Sequence, residues 1–165
     1  MTRKTVAPAL VSLAALLALG GCGGNEGLSA YGRAVVTIGS TPTGFDFGTG
    51  VRLDGGHGTT ASCQISRGTG TGAYGVVIDL IGNPAAEGRA IRSMTVLAHS
   101  DAPDTGSVSA SLGGTDFEGT CRVVVTELDE GTGSVRLSAT DCAIQSTTES
   151  ASALIDFGMR GCTVM

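Results

Sequence analysis

Tryptophan is absent from the 165-residue chain, and four phenylalanines and two tyrosines are its only aromatic residues. So few rings leave little on which a sugar face could stack. Lysine occurs once, at Lys4, and histidine twice, at His57 and His99. Ten basic residues face fifteen acidic ones, so the chain lacks the positive surface that nucleic acid requires. The longest apolar run, residues 6–19, would reach about 21 Å as a helix. That is short of the roughly 30 Å of hydrocarbon a membrane span must cross. Prolines number only four, no stretch keeps a helical period, and no two cysteines have CxxC spacing.

What the chain has instead is glycine, 27 of them, with serine and threonine throughout and 41% hydrophobic residues. Disordered chains are poor in apolar residues, so this chain is expected to fold. Glycines between short apolar runs mark tight turns in an all-β protein. The runs fall at residues 31–38, 45–53, 59–66, 75–81, 91–98, 107–112, 120–128, 135–144 and 151–164. Phe45 and Phe47 share one face of the second. The fourth, GVVIDLI, is nearly continuous and reads as buried on both faces. Eight or nine short strands at this spacing predict an antiparallel β-sandwich, with a barrel as the less favoured closure. Residues 31–165 form one domain of ordinary size.

The start of the chain has a different character. Arg3 and Lys4 precede the apolar run, and residues 6–22 read VAPALVSLAALLALGGC. Cations, a short apolar run and small residues form an export signal. Leu19-Gly20-Gly21-Cys22 resembles the lipobox of bacterial lipoproteins: an aliphatic residue, two small ones and a cysteine. The resemblance covers these first 22 residues alone. It implies that residues 1–21 are removed and that the Cys22 thiol receives a diacylglycerol. Two or more acyl chains anchor stably where one is marginal. Loss of Arg3 and Lys4 leaves eight basic residues against fifteen acidic ones, a formal charge of −7. Acyl chains, not whole-molecule charge, must then hold the protein to its membrane. Residues 22–30 read as lipidated cysteine and flexible tether, reaching at most about 28 Å over its last eight residues. The protein is thus expected at a bacterial cell envelope, outside the cytoplasm. If its source has two membranes, Gly23 in place of aspartate implies the outer one, by resemblance to enteric sorting.

With Cys22 lipidated, four cysteines remain, and in an oxidising compartment two disulfides are expected. Three connectivities are open. In CRVVVTELDEGTGSVRLSATDC, residues 121–142, a turn over 130–133 sets Cys121 opposite Cys142. The same register sets Arg122 against Asp141 and Glu127 against Arg136, and lines up Val124/Ala139, Thr126/Leu137 and Leu128/Val135 as a core stripe. A slip of one residue loses the cysteine match and both charge matches together. This favours Cys121–Cys142, leaving Cys63–Cys162 to tie the last strand to the third.

The remaining motifs carry little. Residues 70–75, GTGAYG, match G-x-G-x-x-G, but a strand and not a helix follows, so they read as a turn. Asp46-Phe47-Gly48 and Asp156-Phe157-Gly158 echo a kinase motif without its companions. His57 and His99 with Asp54 or Asp101 are a conceivable metal set, outweighed by two exposed loop histidines. A Ser-His-Asp triad has the residue types but no distinguishing spacing. The acidic turns at 128–131 and 101–104 match no EF-hand. No catalytic residue, metal or cofactor is assigned. The expected function is a non-enzymatic structural or interaction module of the envelope, with an envelope protein or small ligand as partner. The alternative is a β-sandwich that binds a lipid or a sugar.

Overall fold

In the computed structural model, residues 27–53, 58–82 and 90–165 are described. The expected leader at 1–21, Cys22, Asp54, His57 and residues 83–89 lie outside them. Eleven strands make up the fold, with one 3-10 turn at Pro103–Thr105. They are β1 (Ser29–Ile38), β2 (Thr41–Arg52), β3 (Thr60–Arg67), β4 (Tyr74–Ile81), β5 (Ile91–His99), β6 (Gly106–Leu112), β7 (Thr115–Cys121), β8 (Val124–Asp129), β9 (Ser134–Gln145), β10 (Ser150–Arg160) and β11 (Thr163–Val164). β1 takes in Ser29 and Ala30, which the sequence assigned to the tether, because Leu28 and Ala30 are buried in the core.

All strands hydrogen-bond into one curled sheet, ordered β11-β3-β4-β5-β6-β7-β9-β10-β1-β2, with β8 also on β9. The all-β class therefore holds, but there is one continuous sheet and eleven strands where eight or nine were expected. Pairing is antiparallel except for the two-residue β11, which runs parallel to β3. The first and last long strands, β1 and β10, are neighbours from Ser29↔Arg160 to Thr37↔Ser152.

Alternation sets the inner face. In β6, GSVSASL, Val108, Ala110 and Leu112 point inward and Ser107, Ser109 and Ser111 outward. β4 departs from expectation: Val76, Ile78 and Leu80 are fully buried, whereas Ile81 is 51% exposed. One face of that strand is covered, not two. Phe45 and Phe47 do share the inner face, with ring centroids 6.0 Å apart. Side chains from all the long strands meet in one core.

The expected hairpin is present but interrupted. Glu127↔Arg136 and Leu128↔Val135 pair as anticipated. Val124 and Val125, however, pair with Ser138 and Leu137, with a bulge at Thr126. Thr126 is exposed, and its hydroxyl donates to the Arg136 carbonyl. Val123, not Val124, is the buried residue. Cys121 ends a separate strand, β7, whose partner across is Gly106 of β6. Arg122 bonds to Asp104 at 2.9 Å and not to Asp141.

Candidate functional site

Four of the five cysteines are in disulfides, Cys63–Cys162 with Cα atoms 4.7 Å apart and Cys121–Cys142 with Cα atoms 5.3 Å apart. Both distances lie in the ordinary range for bridged strands. Glu118↔Gln145 is the one register pair between β7 and β9, and Cys121–Cys142 braces that narrow join. Gly119 sits there because a Cβ would overlap the Ala143 carbonyl oxygen on β9. Cys63–Cys162 brings the chain end to β3, where Met165 donates to the Ile65 carbonyl and Arg67 donates to the Met165 carbonyl. Two disulfides point to an oxidising, extracytoplasmic compartment.

The outward faces of β3 to β9 line up polar side chains in one cross-strand row. Ser62 stands opposite Asp79, Asp79 opposite Thr95, Thr95 opposite Ser109, Ser109 opposite Glu118, and Glu118 opposite Gln145. At about 4.8 Å per strand the row spans roughly 24 Å. Asp79 is satisfied within it, accepting from Ser62 at 3.0 Å and Thr95 at 2.7 Å. Toward β7 the sheet bends into an open groove of about 990 Å3, lined by hydroxyls together with Asp116, Glu118 and Gln145. Asp116 and Glu118 are both exposed and two residues apart, so they share a face roughly 7 Å from one another. Neither has a cationic partner among the described residues. Such a surface offers hydrogen-bond acceptors and hydroxyls and repels anions.

A second cluster closes the curl. Arg67 at the end of β3 donates through Nε and Nη2 to Glu130 Oε2, at 2.9 and 2.7 Å. The Tyr74 hydroxyl donates to Glu130 Oε1. The tyrosine hydroxyl first, and then the guanidinium, hold the Glu130 carboxyl below the usual glutamate range. The same bonds raise Tyr74 and Arg67. Asp129 is held low by the Thr132 hydroxyl and the Gly131 amide of its own turn. These groups pin the β8–β9 turn to the β3–β4 end; they are engaged with one another and not poised for proton transfer.

Tyr31 lies across Gly158, where a Cβ would overlap its ring. The Arg160 and Arg136 guanidinium carbons stand 5.4 and 5.8 Å from the Tyr31 centroid, within cation–π reach. Arg136 is also bonded to Asp156 at 2.9 Å.

The other sequence candidates fall apart from one another. His99 ends β5 beside Gly75, and Asp101 follows in the loop, while His57 and Asp54 are outside the described residues. Among the described residues no three His, Cys, Asp or Glu side chains are grouped to hold a metal ion. Asp46 accepts from the Gly48 amide and Asp156 is taken by Arg136. Of residues 70–75, the first four lie in the β3–β4 connection, closed by Gly68 N–H to the Ala73 carbonyl at 2.7 Å, and Tyr74 and Gly75 open β4. The groove on β6 and β7 went unread in the sequence. Its signal was the serine–hydrophobe alternation of β6, followed by the Gly113-Gly114 turn. The chain matches no protein-family model, no curated protein and no solved structure.

Proposed function

We propose that the protein is a membrane-anchored bacterial envelope lipoprotein, a non-enzymatic module that presents a rigid β-domain to a partner. One observation carries this reading: both domain pairs are bonded, so the cysteine left over is Cys22, at the lipobox position. A chain exported into an oxidising compartment would be expected to give its odd cysteine some chemistry, and acylation is the chemistry its flanks fit. In this reading the curled sheet works as a sandwich. β3 to β7 form one layer, and β8 to β10 with β1 and β2 form the other. The test is intact mass of the mature protein, with and without reduction. The expected species begins at Cys22, carries acyl chains there and gains four hydrogens when its two disulfides are reduced. Globomycin-treated cells that still yield soluble product with an unmodified Cys22 overturn it.

The groove beside Asp116 and Glu118 supports a second reading, a site for a neutral sugar or polyol, and it favours sugar over lipid because hydroxyls line it. Retention of the domain on neutral polysaccharide, lost on combining Asp116→Ala with Glu118→Ala, supports this. Equal elution of both proteins with buffer alone counts against it.

A further inference from the structure

We infer that the end of the domain where β1 begins lies against the membrane, with Arg52, Arg160 and Tyr31 meeting phosphate-bearing lipid headgroups. This rests on the anchored reading above and adds an orientation to it. From Cys22 to Gly27 the chain can reach at most about 18 Å. The first β1 residue, Ser29, is therefore held near the headgroups, and its neighbours in register are Arg160 on one side and Arg52 on the other. Both arginines are exposed, and neither has an ion pair among the described residues. Among the described carboxylates, Glu130 is engaged with Arg67 and Tyr74, Asp129 with its own turn, and Asp156 with Arg136. Arg52 and Arg160 thus flank Ser29 as two cations that no described carboxylate neutralises, within a domain of negative overall charge; Glu26 and Asp54 lie outside the described residues. Arg160 also lies over Tyr31, whose amphipathic ring suits a membrane interface.

Apolar exposure is found at the same end. Val164 and Met165 are 37% and 64% exposed, and the only other large apolar residue so exposed among those described is Ile81. They follow Gly161, which packs against Gly27 and Leu28 at the point where the tether arrives. Basic residues near anionic lipid and apolar residues at the interface act together, and the tether makes the encounter intramolecular.

The absence of tryptophan allows a direct test. Residues 22–165, produced without the leader, are coupled through the Cys22 thiol to a maleimide lipid in phosphatidylcholine–phosphatidylglycerol vesicles. This supplies the tether whatever a cell does to Cys22, so failure here is distinct from failure of the intact-mass experiment. Two single-tryptophan variants are compared, Met165→Trp and Ser40→Trp. Ser40 lies in the turn beyond the far end of β1, roughly 33 Å from Ser29 along the strand. Brominated lipid is expected to lower Met165→Trp emission at least about two-fold while leaving Ser40→Trp unchanged, as interfacial contact at one end requires. Adding Arg52→Glu and Arg160→Glu to Met165→Trp should restore most of that emission. Equal quenching at both positions, none at either, or quenching indifferent to the two glutamates overturns the proposal.

Discussion

Asp141 is the only non-glycine residue with a positive φ among those described, at +56°. Its left-handed backbone marks an extra residue in β9. The β10 register passes from Ala153↔Cys142 to Ile155↔Ala139, so two steps on one strand meet three on the other. Before this bulge Val135, Leu137 and Ala139 face inward; after it Cys142 and Ile144 do. The change of phase turns Cys142 toward Cys121. Aspartate tolerates this conformation and a β-branched residue does not. Asp141→Val should therefore cost about 1–2 kcal/mol of stability in urea unfolding, while Asp141→Gly should be close to neutral. Equal stability of the two variants would sink the account of the bulge.

At the scale of elements, alternation was legible and its interruptions were not. β1, β3, β5, β6 and β9 lie within two residues of their expected bounds, because glycine turns bracket clean period-two runs. The two cysteine pairs could be inferred because the register that matched Glu127 to Arg136 also placed Cys121 near Cys142. That register holds at both ends, at Glu118↔Gln145 and Glu127↔Arg136, yet slips by one between them. Neither the bulge at Thr126 nor the one at Asp141 is announced by glycine, so a straight hairpin was the natural reading. The run at 120–128 covers β8 and only the last two residues of β7, so most of β7 goes unread although Gly113-Gly114, both with positive φ, makes the tight turn that starts it. β11 is two residues long and exists through Cys63–Cys162 and its pairing to β3, which no local pattern encodes. The groove escaped for a related reason: its row is assembled from six strands, and a row across strands has no period along the chain.

For the whole molecule, the question is whether one sheet that narrows to Glu118↔Gln145 unfolds as one body or as two. β3 to β7 lie on one side of that join; β8 to β10 with β1 and β2 lie on the other. Links that bridge them besides the join include Cys121–Cys142, Cys63–Cys162, the pairing of β11 to β3 and the Arg67–Glu130–Tyr74 cluster. The apolar core is also shared, since residues of both sides belong to a single buried cluster. A shared core predicts all-or-none unfolding. The two tyrosines report on it separately, Tyr31 from β1 and Tyr74 from β4, with no tryptophan to mask them. Tyr31→Phe leaves the β4 reporter and Tyr74→Phe the β1 reporter. In each variant the tyrosine emission and far-UV circular dichroism should give one urea midpoint. Serine in place of Cys63 and Cys162 should lower that midpoint more than serine in place of Cys121 and Cys142. The first pair closes a separation of 99 residues and the second only 21. Chain entropy assigns them about 4.7 and a little over 3 kcal/mol respectively. Even without Cys63–Cys162 the two tyrosines should keep a common midpoint, because burial and not the crosslink couples the two sides of the sheet. Two separated transitions in that variant would show the core to be two cores, held together only by sulfur.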